Sequence, residues 1–193
     1  MNKDKNKTKA IFLDRDGTLI QDNGYICRLS ESAIFPFSFE AVRRMNRLGF
    51  KVIVVTNQSS IARGICTKEE VETMHRDIRQ LFLKNDSIID GFYYCPYHID
   101  GEIEAYRIDH PWRKPAPGML LQAAADFNIT LTESYMIGDA MCDMEVGKNA
   151  GCKTILVLTG KGEETQKKLM ESGVIPDRIT TNILDATELF LSL

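Results

Sequence analysis

The stretch AIFLDRDGT, residues 10–18, sets four apolar residues directly before two aspartates and a glycine. Residues 10–13 are apolar at every position rather than at every second one, which is typical of a parallel strand buried on both faces. Asp14 stands where this strand ends, and Asp16 follows two residues later. In open parallel sheets, ligands bind outside the carboxyl ends of the strands. The stretch therefore predicts a parallel α/β fold and a place for its chemistry.

The rest of the chain continues this alternation of apolar runs with helix-period segments. Further strands are expected over 51–56, 92–95, 134–137, 154–158 and 178–179. The expected helices are one capped by Ser38 and ending at Gly49, one opened by a Thr67–Glu70 capping box, and others over 117–127, 141–149, 163–171 and 185–193. Alternating strands and helices form right-handed βαβ units. We therefore predict a Rossmann-like, three-layer α/β fold with a parallel sheet, in one domain of residues 1–193 with 96–117 as an irregular loop.

Composition excludes several classes of protein. The chain has 193 residues, of which 44% are hydrophobic and 26% charged, so it can bury an ordinary core. The net charge of −3 argues against a dedicated nucleic-acid binder, which usually carries a basic face. The apolar runs fall far short of the roughly 20 residues of a membrane helix, and the N-terminus lacks a signal-peptide pattern. We expect a cytoplasmic monomer without membrane or nucleic-acid partners, whose five cysteines are mostly free thiols.

Polar residues follow three of the predicted strands. Asp14 and Asp16 follow the first predicted strand, and Thr56 ends the second. Asp139 follows the fourth predicted strand, over 134–137. The carboxyl ends of parallel strands share one edge of the sheet, so these side chains are expected to meet in one crevice. Carboxylates crowded there repel one another and are costly to desolvate unless a cation compensates. An all-oxygen site suits Mg²⁺, which accepts a phosphate oxygen as a further ligand.

The same residues suit phosphoryl transfer. Asp14 can attack phosphorus, which divides one hard displacement into two easier ones. Asp16 is placed to protonate the leaving oxygen and later to deprotonate a water. Donors at Thr56 and Asn57, with the Lys114 ammonium, can hold phosphate oxygens. Each feature alone has a plainer interpretation, such as a turn, a helix cap or a solvated lysine, but their joint order favours one site.

Four motifs resemble those of the haloacid dehalogenase superfamily of phosphatases: DRDGT at 14–18, Thr56, Lys114 and GDAMCD at 138–143. Longer stretches are similar to heptose-bisphosphate phosphatases and their histidinol-phosphatase relatives, namely VVTNQSSIARG at 54–64, RKPAPGM at 113–119 and DNGY at 22–25. The resemblance implies Mg²⁺-dependent removal of the 7-phosphate from D-glycero-D-manno-heptose 1,7-bisphosphate, with histidinol phosphate as the alternative substrate. A phosphate-ligand-binding protein that has lost catalysis is the alternative from another class.

The resemblance also assigns roles to individual residues. It makes Asp14 the nucleophile and Asp16 the general acid and base, while Thr56 and Lys114 stabilise the transferring phosphoryl group. It implies that Mg²⁺ is held by Asp14, the Asp16 carbonyl and Asp139, with support from Asp143. Contacts to the sugar and its second phosphate are assigned to Asp22, Asn23, Gly24, Tyr25, Asn57, Gln58, Ser59 and Arg113. The sequence leaves no block large enough for a separate cap domain, so an open site is expected.

The 96–117 loop departs from the family pattern. The family folds this loop around structural zinc with a Cys-x-His pair and a Cys-x-Cys pair, whereas here the segments read CPYH at 95–98 and HPW at 110–112. Cys95, His98 and His110 can supply three ligands, with Asp109 as a guess for the fourth, but a closed structural site needs four. We therefore do not favour zinc and expect aromatic packing by Tyr97, Tyr106 and Trp112 instead. Among the remaining residues, His75 has charged neighbours on its helix and is expected at the surface.

Overall fold

The computed structural model describes residues 7–191 and builds one six-stranded sheet from them. The strands are β1 (Ala10–Leu13), β2 (Lys51–Asn57), β3 (Gly91–Cys95), β4 (Tyr135–Gly138), β5 (Lys153–Val157) and β6 (Arg178–Thr180). Their order in the sheet is β3-β2-β1-β4-β5-β6. Each neighbouring pair is parallel. The predicted parallel α/β fold is therefore confirmed.

Helices occupy the intervals between the strands. They are α1 (Ser38–Arg47), α2 (Ser59–Ala62), α3 (Lys68–Lys84), α4 (Gly118–Phe127), α5 (Met141–Ala150), α6 (Gly162–Ser172) and α7 (Ile183–Glu188). The capping box of α3 forms as predicted, because Thr67 Oγ1 accepts from the Glu70 N–H at 3.1 Å and Glu70 Oε2 accepts from the Thr67 N–H at 2.9 Å. Between residues 7 and 191, no helix has the length and apolar character needed to cross a membrane.

The sheet is buried on both faces, as its apolar strands predict. Side chains of β1 alternate between two hydrophobic clusters: Ile11 and Leu13 pack on one face, Ala10 and Phe12 on the other. The first cluster is covered by apolar residues of α1, α3 and α7, and the second by those of α4 and α5. This alternation follows from the period of two along a strand. Helices on both faces give the three layers, and they hold the strand ends rigidly at one edge.

Two predicted helix ends were wrong. Ser38 lies inside α1 rather than capping it, because its Oγ donates to the Leu19 carbonyl at 2.8 Å and so fastens the helix to the loop after β1. The last helix starts earlier than predicted, since Asn182 Oδ1 accepts from the Leu184 and Asp185 N–H groups at 2.8 and 3.0 Å. It ends at Glu188, and residues 192–193 of the predicted helix lie outside the described residues.

His75 is buried, so its predicted surface position was wrong. Only 5% of the residue is exposed, and its ring stacks on Phe92 of β3 at a centroid distance of 4.8 Å. It shares the buried face of α3 with Val71, Ile78 and Phe82. Charged neighbours along the sequence are a poor guide here, because adjacent helix positions point in different directions.

Two of the five cysteines form a bridge, which the prediction of mostly free thiols did not identify. Cys27 and Cys66 form a disulfide across a sequence separation of 39, with Cα atoms 5.4 Å apart. That Cα distance lies within the range that a disulfide can span. Cys95, Cys142 and Cys152 are free thiols, as predicted.

Candidate active site

The pocket with the predicted catalytic residues lies where the strand order reverses. From β1 the chain passes to β2 and β3 on one side, and later returns to β4 on the other side. Ligands bind at such a switch point because the loops after neighbouring strands diverge there. The Asp14 N–H donates to the Ile137 carbonyl of β4 at 2.9 Å, which fixes the start of the catalytic loop against the neighbouring strand.

The structure brings most of the predicted site residues into this pocket, whose volume is about 290 Å³. The predicted residues that line it are Asp14, Asp16, Asp22, Gly24, Tyr25, Thr56, Asn57, Gln58, Ser59, Lys114 and Asp139. Arg15, Cys142 and Lys161 also line it, although sequence reasoning gave them no role. Asn23 and Arg113 are not among the lining residues. The pocket has room for a phosphorylated small molecule.

Lys114 is the buried cation of the site. Its Nζ donates to Asp14 Oδ1 at 2.7 Å, to Asp143 Oδ1 at 2.6 Å and to the Val55 carbonyl at 3.0 Å. These three bonds use all the donors of the ammonium. Burial alone would lower the pKa of Lys114, but the two carboxylates outweigh burial and raise it. Lys114 is therefore charged at neutral pH.

The carboxylates around Lys114 carry more negative charge than one ammonium offsets. Burial, with help from Asp143, raises the pKa of Asp14 to about 6 against the opposing effect of Lys114. Burial and the Asp14 charge raise the pKa of Asp139 to about 7. Asp14, Asp139 and Asp143 each bring one oxygen into a group whose atoms all lie within 4.8 Å of one another. Such a cluster of hard oxygen donors with uncompensated charge fits a divalent cation such as Mg²⁺.

Asp143 orients other groups in this cluster. Its Oδ1 accepts from Lys114 and its Oδ2 accepts from the Ala140 N–H at 3.0 Å, so both oxygens have protein partners. Its burial is complete. Asp143 thus holds the Lys114 ammonium beside Asp14 and fixes the start of α5, while its predicted support of Mg²⁺ stays a prediction.

Two glycines enclose the carboxylate of Asp139. A Cβ atom at Gly17 would lie 2.2 Å from Asp139 Oδ2, and one at Gly160 would lie 2.1 Å from the same oxygen. Both glycines have positive φ, 82° and 56°, which side chains disfavour. The Lys161 N–H donates to Asp139 Oδ2 at 2.7 Å. The loops after β1 and β5 therefore hold Asp139 by close backbone approach.

Asp16 is held beside Asp14 by Arg15 and Gln58. The Arg15 guanidinium lies 2.9 Å from Asp16 Oδ2, and Gln58 Nε2 donates to the same oxygen at 3.1 Å. Gln58 Nε2 also donates to Thr56 Oγ1 at 2.9 Å. Burial raises the pKa of Asp16 although Arg15 opposes the shift. A carboxyl group with a raised pKa suits a general acid, which must carry a proton before the reaction.

Arg15 is one of the residues that sequence reasoning missed. Only 1% of Arg15 is exposed, and its Nη1 lies 3.1 Å from His75 Nε2. Burial, followed by the Arg15 charge, lowers the pKa of His75 to about 3, so the ring is neutral and its Nε2 can accept from the guanidinium. The sequence signal was weak: an arginine between two aspartates reads equally well as a solvated charge.

The predicted substrate contacts divide into two groups. Asp22, Gly24 and Tyr25 form one wall, where Asp22 Oδ1 accepts from the Gly24 N–H at 3.1 Å and Tyr25 Oη lies 3.5 Å from Ser59 Oγ. Asn57, in contrast, bonds with the Lys114 backbone: its Oδ1 accepts from the N–H at 3.0 Å and its Nδ2 donates to the carbonyl at 3.2 Å.

Arg113 and Cys142 have surroundings that bear on their roles. Arg113 Nη1 donates to the Tyr97 carbonyl at 3.2 Å, so the guanidinium is engaged by the 96–117 loop. Cys142 lines the pocket, but burial and the Asp143 charge raise the pKa of its thiol to about 12. The thiol is therefore protonated at neutral pH, and a nucleophilic role is disfavoured.

The predicted zinc candidates have other partners. His98 Nδ1 accepts from the Asp100 N–H at 3.0 Å, and His110 Nδ1 accepts from the Trp112 N–H at 3.1 Å. The His110 ring stacks on Tyr97 at a centroid distance of 4.4 Å, and Tyr97 packs against Tyr106 at 5.8 Å. This is the aromatic packing expected in the loop. Whether the loop takes up zinc stays a prediction, with a negative answer expected.

Comparisons with known proteins agree with this geometry. Residues 111–186 match a family model described as HAD-hydrolase-like. The chain is 43% identical over 154 residues to D-glycero-beta-D-manno-heptose-1,7-bisphosphate 7-phosphatase of Escherichia coli K12, covering 79% of this chain and 80% of that protein. It is 37% identical over 186 residues to D-glycero-D-manno-heptose-1,7-bisphosphate 7-phosphatase of Chlorobaculum tepidum, covering 92% of each.

A solved structure is similar over nearly the whole chain. The D,D-heptose 1,7-bisphosphate phosphatase from B. bronchiseptica, complexed with magnesium and phosphate, superposes with a TM-score of 0.81 at 27% identity. The match covers 96% of this chain and 99% of that one. The sequence motifs, the fold and the relatives agree. This chain therefore belongs to the haloacid dehalogenase-like hydrolases, in the family of the heptose-1,7-bisphosphate 7-phosphatases.

Proposed function

We propose that this chain is a Mg²⁺-dependent phosphomonoesterase that removes the 7-phosphate from D-glycero-D-manno-heptose 1,7-bisphosphate through an aspartyl-phosphate at Asp14. The observation that carries the chemistry is the contact of the Lys114 ammonium with Asp14 Oδ1 at 2.7 Å in a pocket that also holds Asp139. The substrate is inferred from the names of the relatives, which are heptose bisphosphate phosphatases in two different genera at 37–43% identity.

The donors supplied by Asp14, Asp16 and Asp139 fit Mg²⁺. Asp14, Asp139 and the Asp16 carbonyl would hold the ion, which when bound supplies positive charge that offsets repulsion between these carboxylates and the phosphate. Asp14 Oδ1 faces Lys114, so its other oxygen is left for attack or for the metal. Both oxygens of Asp143 accept from protein donors, so Asp143 supports the site by holding Lys114 and the Ala140 N–H.

The first chemical step is attack by the Asp14 carboxylate on the 7-phosphorus. As the new oxygen–phosphorus bond forms, the bond from phosphorus to the sugar oxygen breaks, and Asp16 gives that oxygen its proton. The Thr56 hydroxyl donates toward the phosphoryl oxygens, and the positive charge of Lys114, held on Asp14, offsets the negative charge that spreads over them in the transition state. The products of this step are the dephosphorylated C7 hydroxyl and an aspartyl-phosphate.

The second step returns the enzyme to its starting state. Asp16, now a carboxylate, takes a proton from a water molecule that attacks the phosphorus of the aspartyl-phosphate. The bond between phosphorus and Asp14 breaks, so inorganic phosphate leaves and the Asp14 carboxylate is regenerated. Arg15 and Gln58 position Asp16 for both steps, because they hold its carboxylate next to the nucleophile.

The experiment is steady-state kinetics of wild type and Asp14→Asn on heptose 1,7-bisphosphate and histidinol phosphate. Wild type should show the higher kcat/KM on the heptose bisphosphate, and its activity should vanish with EDTA and return with Mg²⁺. Asp14→Asn should lose at least about 10³-fold in kcat, since an amide does not replace a carboxylate nucleophile. If Asp14→Asn were as active as wild type, Asp14 would not be the nucleophile. Activity that survives EDTA would refute the role of Mg²⁺. A higher kcat/KM on histidinol phosphate would refute the proposed substrate.

The matched control is Asp77→Asn, the same substitution at an exposed position of α3 away from the pocket lining. It should leave the kinetic constants within about twofold of wild type, as is usual for surface changes. A comparison of the α- and β-anomers of the bisphosphate defines which one is preferred. The cytoplasmic location and monomeric state stay predictions, to be checked by cell fractionation and by size-exclusion chromatography with light scattering.

A further inference from the structure

A buried histidine, His75, lies on the far side of Arg15 from the proposed general acid. The Arg15 guanidinium donates to Asp16 Oδ1 through Nε at 3.1 Å and through Nη2 at 3.0 Å. At its other end, Arg15 Nη1 lies 3.1 Å from His75 Nε2. His75 is not among the residues that line the active-site pocket. Any influence of His75 on the reaction therefore passes through the guanidinium.

The hydrogen bond between Arg15 and His75 has one possible direction. A guanidinium carries only donors, so His75 Nε2 accepts and the ring proton lies on Nδ1. This requires a neutral imidazole, and burial lowers the pKa of His75 to about 3, which keeps the ring neutral at neutral pH. A hydrogen bond from a charged donor is roughly twice as strong as one between neutral groups. His75 thus supplies a strong acceptor for the buried guanidinium.

The imidazole that supplies this acceptor is held in place by packing. Its ring stacks on Phe92 at a centroid distance of 4.8 Å and meets the Tyr94 ring edge-on at 5.4 Å. It belongs to the buried face of α3. Arg15, in contrast, lies in the loop after β1 and has a long side chain with many rotamers. The fixed imidazole therefore selects one orientation of the guanidinium.

The orientation of the guanidinium in turn sets the position of the Asp16 carboxyl. Arg15 contacts this carboxyl through two nitrogens on one edge, whereas Gln58 adds one bond, from Nε2 to Asp16 Oδ2 at 3.1 Å. Gln58 Oε1 also accepts from Arg15 Nη2 at 3.1 Å. Loss of the His75 acceptor would leave a buried Arg15 N–H without its partner, which is costly. A guanidinium that turns to satisfy this N–H moves Asp16 and Gln58 with it.

We propose that His75 is a positioning residue for the general acid: its Nε2 fixes Arg15, and Arg15 directs the Asp16 carboxyl at the leaving oxygen. This inference rests on the proposed function, since it requires Asp16 to protonate that oxygen. His75 itself neither contacts the substrate nor transfers a proton. It acts on the step in which the bond to the leaving oxygen breaks, so its loss should lower kcat more than it raises KM.

The leaving group of the substrate provides the test. A sugar oxygen needs a proton in order to leave, whereas p-nitrophenolate is stable enough to leave without one. The ratio of kcat/KM on heptose 1,7-bisphosphate to kcat/KM on p-nitrophenyl phosphate therefore measures protonation by Asp16, and it does not depend on the fraction of active enzyme. His75→Phe keeps an aromatic ring beside Phe92 but offers no acceptor to Arg15. It should lower the ratio about tenfold, a part of the roughly 10²–10⁴-fold that a general acid contributes, because Gln58 still holds Asp16.

Three further variants make the comparison specific. Asp16→Asn removes the general acid and should lower the same ratio by at least about 100-fold. His75→Gln offers Oε1 as an acceptor to Arg15 and should keep the ratio within about threefold of wild type. Ile78→Ala weakens the packing of the same buried face of α3 without removing an acceptor, and should keep the wild-type ratio. A urea unfolding curve for each variant shows that it is folded under the assay conditions.

An unchanged ratio in folded His75→Phe would overturn the inference, and so would an equal loss of kcat/KM on both substrates. A ratio that falls as far in His75→Gln or Ile78→Ala as in His75→Phe would also overturn it, because the acceptor would then not be the cause. Failure of the proposed function looks different: wild type would not hydrolyse the heptose bisphosphate, or Asp16→Asn would leave the ratio unchanged, and the inference would fall with it.

Discussion

Opening the Cys27–Cys66 disulfide should lower the free energy of unfolding by about 4 kcal/mol. The bridge closes a loop over a sequence separation of 39. For a loop of about 40 residues, the chain-entropy relation gives about 13 cal/mol/K of entropy removed from the unfolded ensemble, or about 4 kcal/mol at 25 °C. Cys66 is buried at 3% exposure and lies just before α3, so its partner is anchored to the folded core.

The same bridge should matter for substrate binding. Cys27 follows Asp22, Tyr25 and Ile26, which line the active-site pocket. The disulfide ties this wall to the segment that enters α3. Reduction frees the wall to move, so KM should rise by severalfold while kcat changes less, because Asp14 and Lys114 are held by other elements.

The assay is urea unfolding at 25 °C of oxidised protein, of protein with a phosphine reductant, and of a Cys27→Ser/Cys66→Ser variant. Fluorescence of the one tryptophan, Trp112, reports the transition. Reduced wild type and the double variant should both be less stable than the oxidised protein, and the reductant should not affect the double variant. Equal unfolding free energies for oxidised and reduced protein, with the bridge verified by mass spectrometry, would refute the reasoning.

Lys114→Met should lower the free energy of unfolding, measured in urea, by about 3–5 kcal/mol and abolish turnover. The reason is that it leaves the carboxylates of Asp14 and Asp143 buried without their cation. A loss below about 1 kcal/mol would contradict this. Gly160→Ala should raise the Mg²⁺ concentration needed for half-maximal activity by at least about tenfold, since its Cβ would lie 2.1 Å from Asp139 Oδ2. An unchanged Mg²⁺ dependence would contradict a role for the close approach of Gly160 to Asp139. The pKa of His75 is lowered from 6.5 to about 3 by burial, so its contribution to stability is complete above pH 6.5 and declines as pH falls toward 3. Wild type should therefore lose about 2 kcal/mol more than His75→Gln between pH 6.5 and 5, measured by urea unfolding, and parallel losses would refute a neutral buried histidine.

Local patterns were enough for the class of fold and for the chemistry. Continuous apolar runs such as 10–13 mark strands buried on both faces, and the polar residues that follow them mark the functional edge of a parallel sheet. Asp14 and Asp139 were placed correctly from this pattern, because each directly follows its strand. The capping box of Thr67 and Glu70 was also predictable, since both partners lie within one turn.

Helix ends and the burial of helix side chains were less predictable where a group distant in sequence decides the contact. Ser38 has the residue type of a cap, but the Leu19 carbonyl takes its hydroxyl. His75 has charged neighbours, but the packing of α3 against β3 places its ring on Phe92 and its Nε2 beside Arg15. The deciding partners lie 17 to 60 residues away in sequence.

The sequence by itself predicted a parallel α/β sheet and one pocket that holds Asp14, Asp16 and Lys114, the residues proposed for phosphoryl transfer. Only the tertiary structure decided which partners these residues have. It placed Asp143 on the Lys114 ammonium, Lys161 at the pocket beside Asp22, and Arg113 against the Tyr97 carbonyl. The physical reason is that strand ends and helix periods are local properties, whereas a hydrogen bond or a disulfide requires two distant segments to be packed within a few ångströms.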